Sequence, residues 1–203
     1  MPRVGLSADA VVAEAARAAD ELGLDKLTLA LVAQRVDVRL PSLYKHVRGG
    51  DDLRRRLAIL ALGELAACLG AAAVGRSGAV ALAALAAAYR DYAERRPGLY
   101  AAGAVRAPDP ADGEHVAAAE AVYRVVVAVL AGYGIEGDDA VDATRILRAA
   151  LHGFVSLEAG GGFGMPRDVD RTFERLVAGL DAVFSGQTRL PDSAVLSRQA
   201  GGA

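Results

Sequence analysis

Residues Thr28 to His46, Thr-Leu-Ala-Leu-Val-Ala-Gln-Arg-Val-Asp-Val-Arg-Leu-Pro-Ser-Leu-Tyr-Lys-His, constrain the fold more than any other stretch of the chain. The Thr28 hydroxyl can accept a backbone N–H and start a helix, and Leu29, Val32, Ala33 and Val36 follow as one apolar stripe. A turn at Asp37 to Arg39 interrupts the pattern. Pro41 then suits the first turn of another helix, where its missing N–H costs no hydrogen bond, and Leu43 and Val47 share an inward face. Upstream, Ser7 is a candidate N-cap, and Val11, Ala15, Ala18 and Leu22 fall on one stripe at helical spacing. Gly23 can close that helix in the left-handed conformation, and Leu24 to Leu27 form a short link. Three short helices are expected, the last two in a helix-turn-helix layout.

With Leu43 and Val47 directed inward, helical geometry turns Ser42, Tyr44, Lys45 and His46 outward beside Arg39. A helix-turn-helix places such groups in the DNA major groove. Arg39 or Lys45 can donate to guanine O6 and N7, discriminating by about 1 to 3 kcal/mol. Tyr44 and Thr28 suit phosphate oxygens, which position a helix without reading sequence. Charge follows the same division. Residues 1 to 56 carry ten Lys or Arg against eight Asp or Glu, whereas residues 57 to 203 carry thirteen against seventeen, and the whole chain has net charge -2. Between Arg35 and Arg56 the balance is seven basic to three acidic, a local excess where phosphates would lie.

Helix, Gly, short link, Thr-capped helix, turn, and a closing Leu43-Tyr44-Lys45-His46 together resemble the amino-terminal domain of the TetR family of transcriptional regulators, over about Leu6 to Leu57. The resemblance implies DNA contacts from Thr28, Arg39, Leu40, Ser42, Tyr44, Lys45, His46 and Arg48. Three positions depart from the family pattern. Asp37 stands where the turn residue is usually glycine, Arg39 where a Ser or Thr commonly caps the recognition helix, and Gly49-Gly50 where a Lys typically opens the fourth helix. Arg48 is the candidate substitute for that phosphate contact.

Asp51 and Asp52, followed by Leu53, Leu57, Leu60 and Leu65, suggest one helix running from the first domain (1–50) into a second (51–186). The sequence predicts a break over Gly70 to Gly78, a helix over Ala79 to Arg96, and a short helical turn over Pro97 to Ala102. A loop over Val105 to Gly113, a helix over Glu114 to Gly132, and an Asp138-capped helix to about Glu158 come next. Gly160 to Met165 reads as a flexible link, and residues 187–203 as a polar, disordered tail. The expected fold is therefore all-α, with a three-helix DNA-binding unit and a larger helical domain for ligand binding and dimerisation.

Asp168 can cap the last helix, whose face of Val169, Phe173, Leu176, Val177, Leu180, Val183 and Phe184 is broad. With Ala149, Gly153 and Ser156 of the preceding helix, this face resembles the family's dimer interface, a four-helix bundle shared by two subunits. The interface candidates are thus Ala149, Gly153, Ser156, Phe173, Leu176, Leu180 and Phe184. Burial of the same face inside one subunit is the alternative. Leu151 to Glu158, containing His152-Gly153, looks like the His-Gly segment of a TetR carboxy-terminal subgroup named for Trp, His and Gly, although this chain has no Trp. Tyr89, Tyr92, Tyr100, Tyr123, His152 and Phe154 are the candidate wall of a cavity for a mainly apolar effector, or else ordinary core residues.

Other classes find less support. The three histidines have no second ligand at metal spacing, no strand precedes the glycines at 160 to 164, and Cys68 is a lone thiol among alanines and leucines. No enzyme, cofactor or metal is expected. The longest uncharged run, Ser77 to Tyr89, has 13 residues, short of the roughly 18 that span a bilayer. A cytoplasmic location without membrane association is expected. By resemblance, the chain is expected to act as a homodimeric repressor on double-stranded operator DNA, released by a small hydrophobic effector. A ligand- or partner-binding helical dimer with weak operator affinity is the rival reading.

Overall fold

Four of the helix starts are set by a single side chain, and the computed structural model, which describes residues 6–104 and 108–186, shows how. Ser7 accepts the Ala10 N–H at 3.0 Å and opens α1 (Ala8–Leu22). Val11, Ala15 and Ala18 lie on its buried face, while Leu22, its last residue, is exposed. Gly23 (φ +92°) ends the helix, its N–H bonded to Ala19 O at 2.9 Å. After a 3₁₀ turn at Leu24–Lys26, the Thr28 hydroxyl accepts the Leu31 N–H at 3.2 Å and begins α2 (Leu29–Arg35). The following turn sets Asp37 in the left-handed region at φ +54°, and the Val38 N–H reaches back to Ala33 O at 3.0 Å. Pro41 occupies the first turn of α3 (Leu40–Leu43). The chain then continues in tighter turns, with the His46 N–H on Leu43 O at 2.9 Å.

These helices enclose one apolar core of Val11, Ala15, Val32, Leu43 and Val47. Leu53, Leu57 and Ala61 of α4 (Gly50–Ala73) close it from below, and Leu99 of α6 (Pro97–Ala104) completes it. α4 then carries Leu65 and Leu69 into a second, larger core, so one continuous helix belongs to both. By length and composition α4 could cross a membrane, yet it packs on α5 (Gly78–Arg95), α6 and α7 (Gly113–Ala131). The break expected over Gly70 to Gly78 is present but shorter, because α4 runs on to Ala73 and α5 begins at Gly78. A β-carbon on Gly70 would meet Val125 of α7 at 3.8 Å, so this glycine lies at a packed helix contact and does not end the helix.

The second core joins α5 and α7 to α8 (Gly137–Ala159) and α9 (Val169–Phe184). Asp112 caps α7 by accepting the His115 N–H at 3.2 Å, and Asp168 caps α9 by accepting the Asp170 N–H at 2.9 Å. Asp138, expected as the cap of α8, sits inside its first turn instead. Glu136 holds the cap position without a side-chain bond, and the Asp138–Asp139 pair lies where the helix dipole favours negative charge. Residues 108–112 are non-helical as expected, whereas the start of that loop and the expected tail at 187–203 fall outside the described residues. No strand occurs among the described residues.

Three interface candidates lie inside the subunit. Phe173, Leu180 and Phe184 are 7%, 6% and 5% exposed and belong to the subunit's own core. The apolar face of α9 packs on α5 and α8, with the Phe173 ring tilted against Phe154 of α8 at 5.0 Å and Phe184 edge-on to Tyr133, in the link before α8, at 6.0 Å. Leu176 is only partly buried against that core. Ala149 and Ser156 are exposed on α8, with Gly153 half-exposed between them.

Candidate nucleic-acid interface and ligand cavity

The turn at Asp37 and the single turn of α3 leave Leu43 and Val47 each 1% exposed, which drives the intervening side chains outward. Tyr44 is 53% exposed and Leu40 37%. Arg39, Lys45 and Arg48 are exposed beside them, with Ser42 and His46 half-exposed. Arg39 stands at the helix cap position without making a capping bond. Thr28 is exposed, with its hydroxyl committed locally to the Leu31 N–H.

The seven basic residues from Arg35 to Arg56 divide by partner. Arg35 pairs with Glu14 and Glu21 of α1, and Arg56 with Asp52. Arg55 reaches across to Asp112 and Glu114 at the start of α7, and its guanidinium holds the Asp112 carboxyl down at about 2. Arg39, Lys45, Arg48 and Arg54 make no ion pair among the described residues. The positive charge not neutralised by the protein therefore collects around α3 and the start of α4. Arg54 was not singled out from sequence. The inward period of Leu53 and Leu57 was the available signal, since it turns the residue between them outward.

The larger core holds a cavity of about 370 Å³ between α4, α5, α6, α7 and α8, within the range of small-ligand sites. Its wall is mainly Leu, Val and Ala, with Tyr89, Tyr92, Tyr100 and Tyr123 among the lining groups. All four are among the cavity-wall candidates named from the sequence. Tyr92 donates to the Ala61 carbonyl of α4 at 3.1 Å, fixing its ring. The Tyr89 and Tyr100 hydroxyls lie 2.9 Å apart, and Tyr100 in turn is 2.6 Å from His152 Nδ1. Burial, the leading cause, pushes all three phenols (Tyr89, Tyr92 and Tyr100) above their ordinary range, so they act as neutral hydrogen-bonding groups.

Two sequence candidates lie elsewhere. Phe154 does not line the cavity. It is packed between Phe163 (4.9 Å) and Phe173, with the Arg90 guanidinium 5.6 Å from its ring. His152 reaches the cavity only through Tyr100, and faces an open groove between α5 and α8. Thr144 and Arg148 of α8, together with Glu120 of α7, line the cavity but were not anticipated. Thr144 and Arg148 lie one turn before Leu147 and Leu151, and only the position of α7 shows that their stripe faces a void.

α6 joins the two regions residue by residue. Gly98 presses on α1 so closely that a β-carbon there would lie 2.1 Å from the Ala19 carbonyl. Leu99 is wholly buried in the first core, and its N–H donates to Asp20 of α1 at 2.9 Å. Tyr100 is cavity wall. Arg96, just ahead of the helix, bridges Asp20 and Glu64, each at 3.2 Å.

A helix-turn-helix with an unneutralised basic edge, carried on a helical body that contains an apolar cavity, defines a DNA-binding transcriptional regulator. Residues 82–180 match the family model described as the tetracyclin repressor-like C-terminal domain. The chain is 36% identical over 183 residues to an uncharacterised HTH-type transcriptional regulator of Mycobacterium tuberculosis, covering 90% of this chain and 84% of that one. It is 34% identical over 169 residues to another from Bacillus subtilis, covering 83% and 87%. Among solved structures, a protein of unknown function from Rhodococcus sp. RHA1 superimposes with TM-score 0.70 at 27% identity, over 94% of this chain and all (100%) of that one. A variant of TetR from Acinetobacter baumannii AYE, solved with minocycline, superimposes with TM-score 0.64 at 22% identity, over 90% and 96%, and shares the fold. The chain belongs to the TetR family of transcriptional regulators.

Proposed function

We propose that the protein is a repressor that binds a pseudo-palindromic operator as a homodimer and leaves it when a small, mainly apolar effector enters the cavity. The observation that carries this reading is the run Gly98-Leu99-Tyr100, which spans α1, the reading-head core and the cavity wall in three consecutive residues. An effector that displaces Tyr100 also displaces the helix seated on α1, so it shifts DNA affinity by as much as it prefers the displaced state. The shared helix α4 is a second connection, through Tyr92 and Ala61.

For DNA, two α3 turns would enter successive major grooves about 34 to 36 Å apart. Arg39 and Lys45 serve as base readers, Tyr44, Thr28, Ser42, His46 and Arg48 as backbone contacts, Leu40 as an apolar contact, and Arg54 as an added phosphate contact. For the dimer, the outward side of α8 and α9 is the natural seam. Ala149 and Ser156 are exposed there, and beyond its own helix backbone a β-carbon on Gly153 or Gly179 would meet nothing within 4 Å among the described residues, so a partner helix can approach closely.

Anisotropy titrations of DNA fragments selected by the purified protein test the reading. Binding should weaken with salt at a log–log slope on the order of −4 to −7, as expected when two basic heads displace counterions. A slope near zero would favour the rival, a helical dimer with little operator affinity, for which the uncapped Arg39 and left-handed Asp37 already speak.

A further inference from the structure

We infer that the cavity selects an uncharged, largely apolar ligand carrying a hydrogen-bond donor, and that His152, which lies outside the cavity, sets this preference as a positioning residue. The inference rests on the effector reading in naming which ligand class the cavity takes. Each buried phenol proton has a destination within the protein. Tyr92 spends its proton on the Ala61 carbonyl. Tyr100 lies 2.6 Å from His152 Nδ1, closer than the roughly 2.7 to 3.2 Å of an N–H···O bond and suited to a hydroxyl donor. Tyr100 therefore donates to Nδ1, and the neutral imidazole keeps its own proton on Nε2. The groove that His152 borders is lined by Asp91 and Glu94 of α5, Glu158 of α8, and Asp170 and Glu174 of α9, against the single lining cation Arg90, which favours a proton on that side of the ring. With its proton spent on His152, the Tyr100 hydroxyl can only accept from Tyr89, 2.9 Å away, so Tyr89 donates.

Tyr89, Tyr92 and Tyr100 all line the cavity, and their oxygens are left with lone pairs and no free proton. Such a wall matches a ligand N–H or O–H and leaves a ligand carbonyl unpaired, a buried acceptor that costs free energy. The Thr144 hydroxyl, buried without a partner among the described residues, can turn to donate or to accept and adds no preference. Glu120 and Arg148 are exposed and opposite in sign, so the wall favours neither ligand charge. Leu65, Leu69, Leu85 and Val126 take the apolar body.

Calorimetric titration of the full-length protein at mildly alkaline pH, without DNA, compares three bicycles of similar size: indole with its N–H donor, indene with no polar group, and indanone with a carbonyl acceptor. Indole should bind about fivefold more tightly than indene, the step of one net hydrogen bond, and about tenfold more tightly than indanone. Tyr100→Phe and His152→Phe each release a phenol proton toward the cavity. In both variants indanone should gain about fivefold while indole stays within about twofold, whereas lost packing alone would weaken the two together. Imidazole nitrogen NMR of the parent protein needs no variant, and should show His152 protonated at Nε2 and bare at Nδ1. A proton on Nδ1, indole no tighter than indene, indanone equal to indole, parallel losses in variants that circular dichroism shows to be folded, or binding of none of the three overturns the inference. Operator release is measured separately. Indole that binds with the stated preference yet leaves DNA affinity unchanged sinks the regulatory reading and leaves the ligand class standing, whereas release by indanone but not by indole does the reverse.

Discussion

The two cores treat their aromatic side chains in opposite ways. The amino-terminal core is built from Val, Ala and Leu, and the one aromatic residue between Leu6 and Leu57, Tyr44, stands 53% exposed on the recognition turn. The carboxy-terminal core buries Tyr89, Tyr92, Tyr100, Phe154, Phe173 and Phe184. An aliphatic core fills the short distances between small helices without large rings, so a tyrosine left outside is available to a partner. The larger core surrounds longer helices rich in alanine, and its rings fill most of the space between backbones without closing all of it. The remaining space is the cavity.

The comparison is easiest to break by deleting a ring from each region. Tyr92→Ala should cost about 3 to 5 kcal/mol in chemical denaturation, as for a fully buried aromatic, while Tyr44→Ala should stay within about 0.5 kcal/mol. A large loss at Tyr44 would mean that the recognition turn depends on it for folding.

Where the two regions meet, Gly98→Val should cost about 3 kcal/mol or more, since the nearest neighbours are backbone atoms of Ala19 and cannot move aside. A Tm within a degree or two of the parent would show that the α1–α6 contact opens freely, and the proposed coupling would lose its route.

On the reading face, Lys45→Ala should relax discrimination at one operator position by about 1 to 3 kcal/mol. Tyr44→Phe should weaken all operators alike by about 0.5 to 1.5 kcal/mol. Equal losses at every base for Lys45→Ala would leave it a phosphate contact only. A small gain in stability is expected at Asp37, whose φ of +54° carries strain that glycine lacks. Asp37→Gly should stabilise by about 0.5 to 1 kcal/mol in thermal melts, and destabilisation would mean that the aspartate side chain supports the turn.

The interface proposal illustrates where sequence reasoning stopped. Phe173 and Leu180 lie on one helical face whether the helix packs inside its own subunit or against a second, and periodicity is identical in both cases. Aspartates at those positions would unfold the subunit and report nothing about dimers. Phe154 and Tyr100 pose the same difficulty, since both are aromatics on apolar stripes. One is sandwiched by Phe163 and Phe173 and the other borders the void, a difference set by neighbours distant in the chain. Thr144 and Arg148 were missed for the same reason.

By itself the sequence determined the reading head, because caps, the Asp37 turn, Pro41 and the Leu43–Val47 spacing act through bonds and contacts only a few residues apart. It also determined that the described part of the second domain is helical. Only the tertiary structure decided which apolar faces are spent inside the subunit, which tyrosines frame the cavity and how α6 touches both cores, because burial depends on partners that no local pattern specifies.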